Sequence, residues 1–223
     1  GYENVPVLQK EIIQKSIALA RPVIVATQML DSMIEHPRPT RAEASDVANA
    51  IYECADAVML SGETAIGAFP VESARTMAKI ICRIEDDISR KGRERVMCHD
   101  KIRHEGAIAE AAVSAAASIG AKCIVPFTTS GRTARLVSRE RPATPIISFG
   151  ESVEAMRRLC FYWGVRPRIL QTADSMNEHF RHGERELLKN RDVAPGDYVI
   201  FLAGLLKMQG ATNTLRIHRI QDH

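Results

Sequence analysis

The sequence predicts an α/β protein whose sheets are mostly parallel. Short, continuous apolar runs alternate along the chain with longer stretches of helical periodicity, and the early runs do not alternate polar with apolar residues. Such runs are typical of strands buried on both faces of a parallel sheet. Strands that alternate with helices are typical of parallel α/β folds.

The first part of the chain contains two strand-like runs, Pro22–Ala26 and Ala57–Leu60. A helical pattern precedes the first run, and Thr40 with Glu43 forms a capping-box sequence that predicts the start of a second helix. Pro70 opens a third helix with apolar residues at helical spacing. The predicted order is helix, strand, helix, strand, helix, over residues 4–20, 22–26, 40–54, 57–60 and 70–88.

A charged stretch of low apolar content, residues 89–104, predicts a boundary between two parts. An Ala-rich helix follows at about 106–119, and its small side chains would allow close packing on a sheet. Helical stretches lie between the first four of the later strand-like runs. These runs cover residues 122–127, 145–149, 166–170, 198–203 and 214–219.

The first part has too few strands to close on itself, because an eight-stranded barrel takes about 250 residues. Two or three strands leave exposed edges and apolar faces. We therefore expect further upstream chain, or another copy, to cover this part. The chain starts at Gly1, without Met and in a polar segment, which we interpret as a truncated start.

The composition of the 223 residues excludes several classes of partner. The net charge is +3, from 30 basic and 27 acidic residues, which is too balanced to indicate nucleic acid or an anionic membrane. No apolar run approaches the roughly 20 residues that span a bilayer. The five cysteines form no C-x-x-C pair, so we expect neither disulfides nor a zinc site, but a reducing cytoplasm.

Several motifs closely resemble the pyruvate kinase family, in the order in which that family carries them. The first part contains Ala26–Ile34, Pro37–Glu43, Asp46–Ala50 and Val58–Ala65, and the second contains Thr128–Ala134 and Gly210–Thr214. The resemblance implies the edge of a catalytic TIM (β/α)8 barrel followed by a separate α/β sandwich domain with a mostly parallel sheet. The implied boundaries are 1–88 for the barrel part, 89–104 for a linker and 105–223 for a C-terminal allosteric domain.

The resemblance also implies the activity, which is transfer of a phosphoryl group from phosphoenolpyruvate to ADP, giving pyruvate and ATP in glycolysis. It implies Mg²⁺ and K⁺ as cofactors, a cytoplasmic homotetramer, and metal ligands upstream of Gly1, with none in this chain. The chain alone is therefore expected to be inactive. A stand-alone ligand-binding regulatory module without catalysis is the alternative that the residues leave open.

Four residues of the first part are candidates for the active site or its surroundings. Thr27 follows a strand at the end where barrel active sites lie. The resemblance gives it a substrate-binding and catalytic role, in which its hydroxyl donates to developing negative charge or orders a water. Ser61 and Glu63 form either a proton relay or a helix cap with a structural salt bridge. Arg41 reaches a neighbouring active site across a subunit interface, or stabilises the helix around Glu43.

The loop from Thr128 to Thr133 predicts a phosphate-effector site, because a strand, a hydroxyl-rich turn and a helix N-terminus together favour anions. The predicted ligands are Thr128, Thr129, Ser130, Gly131, Arg132 and Thr133, with Lys207 from a later loop. Relatives that bind fructose 1,6-bisphosphate clamp its second phosphate with a tryptophan and an arginine. Thr172 and His179 stand at those positions here, which favours a monophosphate effector.

Overall fold

The computed structural model describes residues 1–91, 104–171, 173, 175–204 and 212–221. They belong to two compact units, one within Gly1–Val96 and the other within Met97–His223. The first unit confirms the predicted order and adds a short helix, α3, that the sequence pattern does not reveal. Its α-helices and strands are α1 (Val5–Ala18), β1 (Ile24–Ala26), α2 (Arg41–Tyr52), β2 (Ala57–Met59), α3 (Gly62–Ala65) and α4 (Pro70–Lys91).

Strands β1 and β2 are parallel neighbours, with Ile24 opposite Ala57 and Ala26 opposite Met59. The prediction that both strands are buried on two faces is wrong for these residues, since Ile24 is 44% and Met59 45% exposed. The physical reason is that two strands form the whole of this sheet among the described residues. Helix α1 also exposes apolar side chains, which are Val5, Val7, Leu8 and Ile12.

The N-terminus of α2 has the predicted capping box. The Thr40 hydroxyl accepts a hydrogen bond from the Glu43 amide at 3.3 Å, and the Glu43 carboxylate accepts one from the Thr40 amide at 2.7 Å. Two orphan amides at the helix start are thereby satisfied. The cap fixes where α2 begins, directly after the loop that follows β1.

Among the described residues, the second unit contains a five-stranded sheet in the order β5-β4-β3-β6-β7. The pairs among β5, β4, β3 and β6 are parallel, whereas β7 runs antiparallel to β6, which confirms a mostly parallel sheet. The helices and strands are α5 (His104–Ile119), β3 (Cys123–Pro126), α6 (Arg132–Arg139), β4 (Ile146–Gly150), α7 (Val153–Leu159), β5 (Val165–Ile169), α8 (Met176–Lys189), β6 (Tyr198–Gly204) and β7 (Thr212–Arg219).

The sheet of the second unit separates two apolar clusters. Alternate residues of a strand point to opposite faces, so Ile124 packs with α5, α6 and α7 while Val125 packs with α8. The Ala-rich helix α5 contributes Ala109, Ala112 and Ala116 to the first cluster, which confirms its predicted close packing. Four phenylalanines belong to the second cluster: Phe127, Phe149, Phe180 and Phe201.

The helices extend into both ends of the predicted linker. Helix α4 continues to Lys91, beyond residue 88, and α5 begins at His104. Residues 92–103 lie outside the described part of the chain, so the domain boundaries stay a prediction. None of the described helices is long and apolar enough to cross a membrane.

Candidate functional site

Thr27 lies directly after β1, at the edge where the parallel strands β1 and β2 both end. Its φ is 71° and that of Gln28 is 53°, so two successive residues adopt the left-handed region that a β-branched residue rarely enters. The Thr27 side chain is exposed, and its hydroxyl donates to the Ala26 carbonyl at 2.6 Å. This backbone therefore presents a hydroxyl at the end of the sheet where barrel enzymes bind substrate.

Glu63 is only 2% exposed and joins the loops that follow the two strands. One carboxylate oxygen accepts from the Leu30 amide at 3.0 Å, and the other accepts from the Ser61 amide at 2.8 Å. Burial alone would raise the pKa of Glu63, but hydrogen bonds from backbone amides outweigh it and lower that pKa. A buried carboxylate that accepts from two backbone amides favours a structural role for Glu63 over a proton relay. Among the described residues, Glu63 does not form the salt bridge that the structural alternative included.

Ser61 caps α3 with its carbonyl, which accepts from the amides of Thr64 at 3.2 Å and Ala65 at 3.0 Å. Its side chain makes no cap hydrogen bond and is exposed. The helix-cap alternative thus accounts for the Ser61 backbone but not for its hydroxyl. A chemical role of that hydroxyl stays a prediction.

Glu43 is a second carboxylate that fixes the loop after β1, and sequence reasoning assigned it only to the helix cap. It accepts from the Ser32 amide at 2.7 Å and the Ser32 hydroxyl at 2.6 Å, in addition to its bonds from Thr40. Partial burial would raise the pKa of Glu43, yet the hydrogen bonds from Ser32 and Thr40 prevail and lower it to about 2. Arg41 is exposed at the start of α2, and its interface role stays a prediction.

The lowered pKa of Glu43 predicts that the stability of the first unit depends on pH. A carboxyl whose pKa is lower in the folded state stabilises the fold above its unfolded value of 4.5, and this contribution is lost as the pH falls towards 2. We expect the Glu43 side-chain carbonyl carbon to titrate near pH 2 in NMR spectra. Ser32→Ala, which removes one donor, is expected to raise that midpoint, whereas a wild-type midpoint near 4.5 would contradict the hydrogen-bond network.

In the second unit, the predicted strand, turn and helix N-terminus are confirmed as β3, residues 127–131 and α6. Gly131 caps α6 with a φ of 82°, a left-handed conformation that suits glycine, and the first helical bond runs from the Arg135 amide to the Gly131 carbonyl. The amides before Arg135 therefore have no partner within the helix. Thr129 and Ser130 are exposed, and the Thr128 amide donates to the Phe149 carbonyl.

Two of the predicted phosphate ligands already have partners within the protein. Thr133 is buried, and its hydroxyl lies 2.6 Å from that of Thr212 at the start of β7. The Arg132 Nε donates to Glu105 at 2.8 Å, and Glu105 is itself buried. The sequence analysis did not identify Glu105, and the only signal was an acidic residue in the first turn of an Ala-rich helix.

His179 packs in the core of the second unit. Its ring meets Phe127 edge-on with centroids 4.4 Å apart, and Nδ1 accepts from the Ala173 amide at 3.4 Å. Burial, followed by the proximity of His182, lowers the pKa of His179. Its surroundings therefore favour the neutral form of the ring. Thr172 and Lys207 lie outside the described residues.

The resemblance implies Mg²⁺ and K⁺, so the described residues were compared with the requirements of a metal site. Over the described ranges, no group of three or more His, Cys, Asp or Glu side chains is placed to hold a metal ion. The carboxylates of Glu43 and Glu63 accept hydrogen bonds from the protein itself. These residues do not fit a metal centre, and we derive no step through a metal at them.

Comparison with known proteins matches both units. A family model described as "Pyruvate kinase, barrel domain" matches residues 1–74, and one described as "Pyruvate kinase, alpha/beta domain" matches residues 106–218. A pyruvate kinase of Sporosarcina psychrophila is 43% identical over 99% of this chain, and one of Agrobacterium vitis is 43% identical over 98%.

These relatives are longer than the chain, which covers 38% and 46% of their lengths, respectively. The crystal structure of a pyruvate kinase from Cryptosporidium parvum superposes with a TM-score of 0.85 at 33% identity. That superposition covers 98% of this chain and 44% of the other. With both units matched in the family's order, the chain belongs to the pyruvate kinase family.

Proposed function

We propose that this chain forms part of a pyruvate kinase, which transfers a phosphoryl group from phosphoenolpyruvate to ADP and gives pyruvate and ATP in glycolysis. The observation that carries the proposal is Thr27, an exposed hydroxyl on left-handed backbone at the carboxyl end of β1. The loops around it are anchored by buried Glu63 and by Glu43. A hydroxyl placed at this end of the strand is suited to positioning a substrate and to stabilising developing charge.

In this proposal each residue has a distinct part. When phosphoenolpyruvate loses its phosphoryl group, negative charge develops on the enolate. The Thr27 hydroxyl then turns its one proton from the Ala26 carbonyl to that charge, or it accepts from and so orders the water that protonates the carbon. The exposed Ser61 hydroxyl lies after the neighbouring strand and supports the same proton path. Glu63 positions both loops. Residues outside this chain would hold Mg²⁺ and K⁺, which would supply positive charge at the phosphoryl group.

The assembly belongs to the same proposal. A cytoplasmic homotetramer is proposed, in which Arg41 extends from α2 towards a neighbouring subunit. Helix α1 exposes several apolar side chains. This supports the proposal that further protein packs against this unit, because soluble proteins rarely expose large apolar patches to water.

The test of catalysis is a chimera in which this chain replaces the corresponding segment of the Sporosarcina psychrophila relative. We expect the chimera to form ATP from phosphoenolpyruvate and ADP, and the 223-residue chain alone to show no turnover. Circular dichroism and sedimentation serve as controls for folding and assembly. A chimera that folds and assembles like the parent relative but has no activity would contradict the proposal.

One observation favours a second candidate, a regulatory module without catalysis. The second unit has its own five-stranded sheet and two apolar clusters, so it has the core of an independent domain. In this alternative, a phosphorylated ligand binds the chain although the folded chimera is inactive. Ligand binding together with chimera activity excludes it.

A phosphorylated effector is proposed to bind at the start of α6. The proposed donors are the side chains of Thr128, Thr129 and Ser130 and the backbone amides near Gly131. Arg132 contributes the guanidinium nitrogens that do not bond Glu105, and Lys207 contributes its ammonium group. Thr133 acts indirectly, because its hydroxyl bonds Thr212. The core position of His179 supports a monophosphate over fructose 1,6-bisphosphate, since its ring packs on Phe127.

Ser130→Asp is expected to weaken binding of the preferred monophosphate at least about tenfold, because the added carboxylate repels the phosphate and removes a donor. Calorimetry with glucose 6-phosphate, ribose 5-phosphate, AMP and fructose 1,6-bisphosphate measures this. Ser114→Asp, at an exposed position on α5, adds the same charge and is the matched control. Equal binding by wild type and Ser130→Asp would exclude this loop, and tighter fructose bisphosphate binding would contradict the selectivity.

A further inference from the structure

A small cavity of about 180 Å³ lies between α8 and β7 in the second unit. It is separate from the loop at the start of α6, with which it shares no residue. The residues that line it are Asn177, Phe180, Arg181, Arg216 and His218. None of them entered the sequence-based prediction of a site.

The lining follows from the periodicity of the two elements. Asn177, Phe180 and Arg181 are three and four residues apart on α8, which places them on one helix face. Arg216 and His218 are two apart on β7, which places them on one face of the strand. Three of the five side chains therefore carry nitrogen groups that are cationic or become so on protonation.

Arg216 is held in position by its neighbours. Its guanidinium carbon lies 5.3 Å from the centre of the Phe180 ring, and its Nη1 donates to the Asn177 side-chain oxygen at 3.3 Å. Phe180 is buried and forms an apolar floor. A guanidinium stacked on an aromatic ring keeps further N–H groups in its plane, so Arg216 is preorganised to bind an oxyanion.

The residues that line the cavity give it a positive charge. Glu184, on the next turn of α8, is buried and accepts from the Gln221 amide at 2.9 Å. One of its oxygens lies 3.2 Å from His218 Nε2, but that nitrogen makes no well-aligned hydrogen bond with any described residue. The described lining thus contains two arginines and no carboxylate.

We propose that this cavity is a second anion site, which binds a small oxyanion between Arg181 and Arg216. The size sets the ligand class, because sites for whole cofactors and drug-sized ligands run to about 300–1,000 Å³. A phosphate ion or a short carboxylate fits the smaller volume, and both present oxygens in the geometry that guanidinium groups bind. The inference stands on this cavity alone and holds whether or not the chain takes part in phosphoryl transfer.

The test uses the 223-residue chain with Ser130→Asp, so that the α6 loop does not compete for the probe. Inorganic phosphate and, separately, malonate are titrated while the amide NMR signals of Asn177, Phe180 and His218 are followed. We expect saturable shifts. The anion with the lower dissociation constant shows whether the site prefers a phosphate or a carboxylate.

Arg181→Gln and Arg216→Gln are each expected to weaken binding about tenfold, which corresponds to about 1.4 kcal/mol. Arg185→Gln removes the same charge from an exposed position one turn further along α8 and is expected to change affinity less than twofold. Arg181→Gln leaves the Arg216–Phe180 contact intact, so it tests the site without disturbing the fold.

Three outcomes would overturn the proposal. The first is the absence of saturation by either anion, and the second is an equal loss of affinity with Arg185→Gln. The third is a change in sedimentation mass on Arg181→Gln without any anion-dependent shift, which would identify the face as an interface between copies of the chain.

Discussion

Glu63→Gln is expected to destabilise the first unit by roughly 3 kcal/mol, because a buried, charged acceptor of two backbone amides is replaced by a neutral group that can accept through one oxygen only. The new NH₂ would face either the Leu30 or the Ser61 amide, two donors in opposition. The substitution keeps the size of the side chain, so packing is matched. Hydrogen exchange at the Leu30 and Ser61 amides should accelerate about a hundredfold.

Glu72→Gln, at an exposed position in the first turn of α4, is the matched control and should leave exchange at both amides unchanged. The same variants in the chimera separate the two roles of Glu63. A positioning role predicts faster exchange and lower turnover together. Unchanged exchange with strongly reduced turnover would contradict the positioning role and favour the proton relay.

The helices and strands were predictable because their signals are local. The capping box of Thr40 and Glu43 spans four residues and marks the start of α2 to the residue. The apolar run Pro22–Ala26 identified β1, but its burial was overestimated, because burial depends on what packs against a strand. The four-residue helix α3 lacks the length over which helical periodicity can be recognised.

The site was only partly predictable. The positions of Thr27, Ser61 and Glu63 came from resemblance, but their contacts connect residues far apart in sequence. Glu63 reaches the Leu30 amide across 33 positions, and Arg132 pairs with Glu105 across 27. No spacing rule encodes such pairs.

The left-handed backbone at Thr27 is a further feature that sequence could not provide, because threonine disfavours that conformation. Only the surrounding structure holds it there. An unfavourable conformation that persists beside a candidate substrate site is itself a reason to examine the residue chemically.

Thr27→Val is expected to lower the turnover of the chimera by roughly tenfold to a thousandfold, the scale of one lost hydrogen-bond donor or proton-transfer partner. Valine keeps the β-branch and the volume, so the strain at a φ of 71° is matched. What disappears is the hydroxyl, together with its 2.6 Å bond to the Ala26 carbonyl. Steady-state turnover with phosphoenolpyruvate and ADP measures the effect.

Two companion variants separate chemistry from structure. Thr27→Ser restores a hydroxyl and is expected to recover most of the turnover. Thr64→Val makes the same change at an exposed threonine whose hydroxyl donates to the Ser61 carbonyl at 3.4 Å, and it should leave turnover within about twofold of wild type. If Thr27→Val and Thr27→Ser both kept normal turnover, Thr27 would be a structural residue, because the only group that the valine variant lacks would then be unnecessary for the reaction.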